Sequence, residues 1–205
     1  MTRVLLASRN AKKLGELQRI LGPHVTVLGL GDVPPYDEEP ETGATFEENA
    51  AAKALQAARE TGEISLADDS GLAVDALNGM PGVLSARWSG RHGDDPANTA
   101  LLLAQIADVP DERRGAAFVC ALALAVPGGE VRLKYGEWRG RIVREPKGSN
   151  GFGYDPVFVP AESDAAGDGR TSAELAPAEK DALSHRGRAL AMMLPELTEV
   201  LTGSR

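Results

Sequence analysis

The stretch Leu66–Gly90, LADDSGLAVDALNGMPGVLSARWSG, decides how the rest of the chain is read. A short apolar run ends in two adjacent carboxylates, Asp68 and Asp69, and a loop rich in glycine follows Ser70 and Gly71. In an open α/β sheet, ligands gather at the carboxyl ends of strands. Two neighbouring carboxylates repel each other, so a folded chain offsets them with a metal ion, with cationic side chains or by sharing protons. The plainer alternative is a solvated Asp-Asp-Ser-Gly turn, because these are favoured turn residues. The flanking segments have to separate the two.

Upstream, Arg3–Ala7 predicts a short buried strand that runs straight into Ser8-Arg9-Asn10-Ala11-Lys12-Lys13. Leu14, Leu17, Ile20 and Leu21 then recur at helical spacing, and Gly22-Pro23 ends the helix. Ser8 or Asn10 can cap it. Strand, polar turn and helix start together offer backbone N–H groups and a positive dipole end suited to a phosphate. Lys12 and Lys13 oppose the dipole there. An anionic ligand would resolve that conflict, and solvated surface lysines are the alternative. A second strand is expected at Val25–Leu28, then a Pro- and Glu-rich loop over Asp32–Thr42. Thr45-Phe46-Glu47-Glu48 is a capping-box signature opening an alanine-rich helix to about Thr61. One of Glu38, Glu39 and Glu41 could complete a magnesium site with the aspartates, and Glu41 is nearest the helix start.

Downstream, Ala97–Ile106 has helical periodicity, and Ala116–Val126 and Val131–Tyr135 predict strands across the turn at Pro127–Glu130. Glu137–Val143 continues the β region with a bend at Gly140. In Lys147–Pro156, KGSNGFGYDP, three glycines surround two aromatics, a costly arrangement for plain packing. A loop holding Phe152 or Tyr154 against a flat ring, with Asp155 as a hydrogen-bonding edge reader, makes better use of it; core packing of the aromatics is the alternative. Ala161–Arg170 reads as a flexible loop and Glu174–Leu183 as a short helix. Ser184 caps a last helix to about Thr202, with His185 and Arg186 in its first turn.

A net charge of −8 disfavours broad binding to nucleic acid or an anionic membrane, while leaving room for a small phosphorylated ligand in a local basic pocket. The single cysteine, Cys120, lies in an apolar segment and suits a reducing compartment. No signal peptide or membrane-spanning stretch is expected, so a cytoplasmic location is. The sequence carries no P-loop, no G-x-G-x-x-G after a strand, no Cys/His zinc set and no G-x-S-x-G elbow. Acids with scattered lysines, arginines and loop aromatics suit metal-assisted attack of water on a phosphoanhydride.

Five stretches carry a closer resemblance: SRNAKK at Ser8–Lys13, ETGATFEENAAAKA from Glu41, ADDSGLAVDALNGMPGVLSARWSG from Ala67, GFGYDP from Gly151 and SHRGRAL from Ser184. Together, in order and spacing, the chain resembles the inosine triphosphate pyrophosphatase (Ham1-like) family over nearly its whole length. The resemblance implies a single two-lobed α/β domain over residues 1–205, with a long curved mixed β-sheet flanked by helices and the active site in the central cleft. It implies hydrolysis of ITP, dITP and XTP to the monophosphate and pyrophosphate, dependence on Mg2+ and a homodimer. By resemblance, Asp69 is the proton acceptor and, with Glu41, a metal ligand, and Asp68 supports them. Ser8, Arg9, Asn10, Ala11, Lys12 and Lys13 form the phosphate-binding turn, although many members carry glycine where Arg9 stands. Ser70 is a further substrate contact; Phe152, Gly153, Tyr154 and Asp155 hold the purine; and Lys180, His185 and Arg186 contact the nucleotide. A pyrophosphatase for other modified nucleotides, a nucleotide-binding sensor without turnover and a plain phosphatase are the rival readings.

Overall fold

The computed structural model describes residues 2–203. Strand β1 (Thr2–Leu6) leads to helix α1 (Ala11–Leu21), whose cap is Asn10: its side chain accepts the N–H groups of Lys12 and Lys13 at 3.0 and 3.3 Å. Ser8 supports the cap by accepting the Asn10 N–H at 3.1 Å. Gln18 then fixes the return to β2 (Val25–Leu28), donating to the carbonyls of Gly22 and Val25 and accepting from the Val27 N–H. The capping box forms at α2 (Phe46–Thr61), with Glu48 N–H on Thr45 and the Thr45 and Ala44 N–H groups on Glu48. Gly62 closes that helix in the left-handed conformation that favours glycine.

Strand β3 spans Ser65–Val74, so Asp68 and Asp69 lie in mid-strand rather than at a strand's exit, and Ser70 and Gly71 belong to the strand rather than to a solvated Asp-Asp-Ser-Gly turn. After it come α3 (Asp95–Gln105), β4 (Gly115–Ala125) and β5 (Val131–Ile142). The sheet order is β2-β1-β3-β4-β5 with β6 (Phe158–Pro160) at the far edge. β1 is parallel to β2 and β3, whereas β5 and β6 are antiparallel, which makes the sheet mixed and the fold α/β. Among the described residues no helix is long and apolar enough to cross a membrane.

Two compact units divide the chain. The first holds the chain up to Asp69, Cys120–Gly136 and the residues from Arg186 on. Its strands alternate between two apolar layers, as the period of two requires. Val4, Leu6, Leu66, Cys120, Leu122 and Leu124 pack with Leu17 of α1 and with Ala189, Leu190, Met193 and Leu197 of α6 (His185–Thr202). Ala67, Ala121, Ala123 and Ala125 face the other way, onto Ala50, Ala54 and Ala58 of α2. Alanine on both sides brings helix and sheet close together.

The second unit holds Ser70–Val119 and Glu137–His185. Its core gathers Leu72, Val74, Leu102, Ile106, Phe118, Trp138, Ile142, Tyr154, Val157 and Phe158. The β5 region is one continuous strand, Val131–Ile142, that runs through the bend expected at Gly140. Gly140 lies where a Cβ would overlap the Val159 carbonyl oxygen and the Phe158 ring, so it admits close pairing with β6. Ala161–Arg170 is not wholly a loop: α4 (Ala161–Ala166) forms and Gly167 ends it in the left-handed region. The expected helix at Glu174–Leu183 divides into a single 3-10 turn at Ser172–Glu174 and α5 (Pro177–Leu183), because Pro177 suits a first helical turn and not a helix interior. Arg114, buried, donates to the carbonyls of Ile106, Ile142 and Val143 and ties the end of α3 to the end of β5.

Gly140→Ala should therefore weaken the β5–β6 edge and destabilise the protein by about 1–3 kcal/mol, the usual scale for an overpacked site. Urea unfolding is the measurement, and an unchanged midpoint would refute the close approach.

Candidate active site

The alternation of β3 gives two adjacent carboxylates opposite surroundings. Asp68 points with Leu66 toward α1 and α6. Lys13 Nζ donates to both its oxygens at 3.0 and 2.9 Å, and Arg186 reaches Oδ2 at 3.2 Å. Arg186 also donates to Glu16 Oε2 at 2.5 Å, completing a quartet of two acids and two cations in which Asp68, Glu16 and Arg186 are buried and Lys13 is half-buried. Burial alone would raise the Asp68 carboxyl, but Lys13 and Arg186, with Lys53 behind them, hold it well below the usual carboxylate range.

Asp69 points with Ala67 toward α2. Its Oδ2 accepts from Asn49 Nδ2 at 2.9 Å, and its Oδ1 lies 3.7 Å from Lys53 Nζ. Burial raises this carboxyl, Lys53 and Asn49 oppose the shift, and Glu41 adds to it; the balance leaves Asp69 above its ordinary value. Lys53 also donates to Glu41 Oε1 at 2.7 Å and to the Asp68 carbonyl at 2.8 Å. Burial works against its charge, but Asp69, Asp68 and Glu41 more than offset that and raise the ammonium.

Asn49, Lys53 and Glu16 are functional candidates that the sequence reading passed over. The signal for two of them is present in the α2 sequence. Asn49, Lys53 and Gln56 recur at i, i+4 and i+7 in an alanine run, one polar stripe on a helix face. Gln56 anchors the acidic loop by accepting the Glu39 N–H and donating to the Asp37 carbonyl. Asn49 accepts the Gly43 N–H at 2.8 Å, and a Cβ on Gly43 would stand 2.6 Å from that same oxygen. Glu16 had no local signal, since its partner lies 170 residues away.

The first-unit candidates divide accordingly. Lys13 is drawn in to Asp68, against the alternative of a solvated lysine, whereas Lys12, Arg9 and Ala11 are exposed at the turn. Arg9 pairs with Glu38 of the acidic loop at 2.7 Å. The turn's two lysine amides are taken by Asn10. Glu41 joins Asp69 through Lys53, and Arg186 sits in the quartet.

In the second unit, Ser70 is half-buried in β3, and Phe152, Tyr154, Asp155 and Lys180 form a second group. Asp155 is buried with both oxygens engaged: Oδ2 accepts from Phe152 N–H at 2.8 Å and from Lys180 Nζ at 2.5 Å, and Oδ1 accepts from Ser172 Oγ at 2.7 Å. It therefore helps build the loop that carries Phe152. Lys180 Nζ lies 5.4 Å from the centre of the half-buried Phe152 ring. Gly151 has φ +77°, and a Cβ there would overlap the Asp155 carboxylate. Tyr154 is core: its hydroxyl donates to the Ser85 carbonyl at 2.8 Å. His185 is buried and stacks on Phe118, ring centres 5.1 Å apart.

Glu41 and Asp69 are hard oxygen donors that repel one another, and among the described residues no three His, Cys, Asp or Glu side chains converge into a closed cage. Such a donor set fits magnesium, which is commonly bound by one or two carboxylates together with substrate phosphates and water.

Asp68→Asn should cost about 3 kcal/mol or more, because it leaves Lys13 and Arg186 buried beside too little counter-charge. Asp69→Asn should cost less than about 1 kcal/mol, since the amide oxygen still accepts from Asn49 and a buried charge is lost. Urea unfolding without divalent metal tests the contrast, and equal losses would contradict the division of the two acids.

Residues 4–196 match the model of the Ham1 family. The dITP/XTP pyrophosphatase of Nocardia farcinica is 67% identical over 201 residues, covering 96% of this chain and 95% of the relative. The dITP/XTP pyrophosphatase of Mycobacterium tuberculosis is 64% identical over 207 residues, 99% and 98% of the two chains. Among solved structures, a nucleoside-triphosphatase / dITP/XTP pyrophosphatase from Mycobacterium abscessus superposes with a TM-score of 0.75 at 64% identity, over 94% of this chain and 99% of that one. A HAM1 protein from Coxiella burnetii reaches 0.82 at 42% identity, over 97% and 100%. With a family match over nearly its full length and relatives this similar from end to end, the chain belongs to the Ham1 family.

Proposed function

We propose that this protein is a nucleoside triphosphate pyrophosphatase that converts ITP, dITP and XTP to the nucleoside monophosphate and pyrophosphate. The observation that carries the reading is the separation of Asp68 from Asp69: one carboxylate is paired with Lys13 and Arg186, which hold it below its ordinary range, and its neighbour meets Asn49 and Lys53 and is raised by burial. Environments that push paired acids apart assign acid–base roles. The full-length likeness to dITP/XTP pyrophosphatases supports the substrate class.

In this reading a water oxygen attacks the α-phosphorus, its proton passes to the Asp69 carboxylate, and the bond to the bridging oxygen breaks with its electron pair leaving on pyrophosphate. Asn49 keeps the Asp69 carboxylate oriented for that transfer. Lys12 and Lys13, at the start of α1, and Lys53 supply cationic charge to the triphosphate, since catalysis of this kind is mostly positioning and neutralisation. Mg2+, held by Glu41 and Asp69, would polarise the phosphoryl oxygens and neutralise developing charge. In the second unit the Phe152 ring takes the purine face, and His185 is the donor toward the 6-oxygen that adenine lacks. Sites built on such hydrogen bonds discriminate strongly, because the wrong ligand leaves buried polar groups unpaired. A homodimer in the cytoplasm belongs to the same reading, the single buried Cys120 being suited to a reducing compartment.

Incubation of the protein with ITP and magnesium should release pyrophosphate and inosine monophosphate, with ATP a poor substrate and EDTA stopping turnover. Asp69→Asn should remain folded with kcat/KM lower by about 10²-fold or more, the scale of a removed acid–base group. Orthophosphate as the product would identify a phosphatase, and ITP binding without either product would identify a sensor.

A further inference from the structure

We propose that Asp95, at the first position of α3, is a positioning residue for the purine pocket: it holds the Gly153 amide and so fixes the direction of the Phe152 ring. The inference rests on the reading above, in which Phe152 receives the base.

Asp95 Oδ2 accepts from Gly153 N–H at 2.7 Å, across 58 residues of chain. On the other side of the same Cα, the Phe152 N–H is held by Asp155 at 2.8 Å. The two peptide groups flanking the Phe152 Cα are thus each gripped by a carboxylate, which restrains φ and ψ of that residue. Gly153 has φ +63°, a conformation that L side chains rarely adopt and that suits glycine at this turn of the loop. Asp155 is itself braced by Lys180 and Ser172. The Asp95 grip is the other half, and it comes from a helix that the loop's own sequence does not contain.

An ordinary role at the helix start does not account for Asp95. Asp94 is already the cap of α3, accepting the Ala97 N–H at 3.2 Å. A carboxylate next to it gains from the helix dipole, but that gain needs no partner in a distant loop. The Tyr154 hydroxyl, bound to the Ser85 carbonyl, anchors the following residue on the polypeptide that precedes α3. The loop at 152–154 is therefore registered to Ser85 and Asp95, the two ends of the segment leading into α3. Its aromatic face is as fixed as that segment.

The test compares Asp95→Ala and Asp95→Asn with the wild-type protein on ITP, with inorganic tripolyphosphate as a base-free competitor. Asp95→Ala should raise KM for ITP about tenfold and leave kcat within about twofold, the pattern of lost binding common to ground and transition states. Asp95→Asn should restore most of the KM, because its amide oxygen can accept the same bond. Inhibition by tripolyphosphate should be unchanged in both variants, since it has no base to place. An unmoved KM in a less stable Asp95→Ala protein would reduce the residue to a helix-dipole role and overturn the inference. So would an Asn variant as impaired as the Ala variant, or tripolyphosphate inhibition weakened in parallel with KM. If Asp95→Ala does not fold, the Asn variant and its KM decide alone. Wild-type protein that releases no pyrophosphate from ITP refutes the function and the inference together; active wild type with an unmoved Asp95 KM refutes only the inference.

Discussion

A strand places successive side chains on opposite faces, and in β3 that constraint falls between two aspartates. Without it, adjacent charges would share one environment and one compromise. With it, Asp68 enters a set with Lys13, Arg186 and Glu16, while Asp69 meets Asn49 and Lys53 on the alanine side of the sheet. Each helix contributes according to the face it covers. α1 and α6 bring the cations that fix one charge, and α2 brings an amide and an ammonium to a carboxylate that burial leaves easier to protonate. Removing one partner of a buried ion set exposes the others to an uncompensated cost, which ties the start of α6 to the first turn of α1 through chemistry as well as packing.

The second unit applies a different device to its loop. Carboxylates there accept the backbone N–H groups on either side of the Phe152 Cα. Asp155 does so from within the loop and Asp95 from outside it. The backbone that carries the aromatic ring is held between them by main-chain hydrogen bonds, and Lys180 Nζ lies 5.4 Å from the ring centre. Such a ring can remain half-exposed and still keep its direction, a useful property for a surface that must receive a flat ligand.

Much of this was legible in the sequence where the cause was local. The Asn10 cap, the capping box of Thr45 and Glu48, and the stop at Gly62 follow from neighbours a few residues apart. The extent of β3 was not, because Ser70 and Gly71 have turn preferences that pairing within a sheet overrides. The short α4 was hidden by small polar residues with no apolar stripe. The acids themselves were recognisable as a site from their adjacency, whereas the partners that distinguish them were not. Glu16 looks like any surface glutamate of an amphipathic helix until Arg186 arrives from the far end of the chain. Asn49 and Lys53 could have been found, since an alanine-lined face rarely tolerates an amide and an amine at successive turns without a use for both.

The alanine layer between α2 and the sheet has a further consequence for how this chain can vary. Ala50, Ala54 and Ala58 meet Ala67, Ala121, Ala123 and Ala125 methyl to methyl, and the larger Phe46 and Val131 pack against this layer only as partly buried neighbours. The layer therefore serves as a spacer of fixed thickness, and the stripe of Asn49, Lys53 and Gln56 is carried at a height set by methyl groups. A methylene added in that layer overpacks it and presses on the stripe that meets Asp69 and the acidic loop. Sequence drift in the other apolar layer, rich in leucine, can be accommodated by repacking; drift here would be felt as a loss of chemistry before it was felt as a loss of fold.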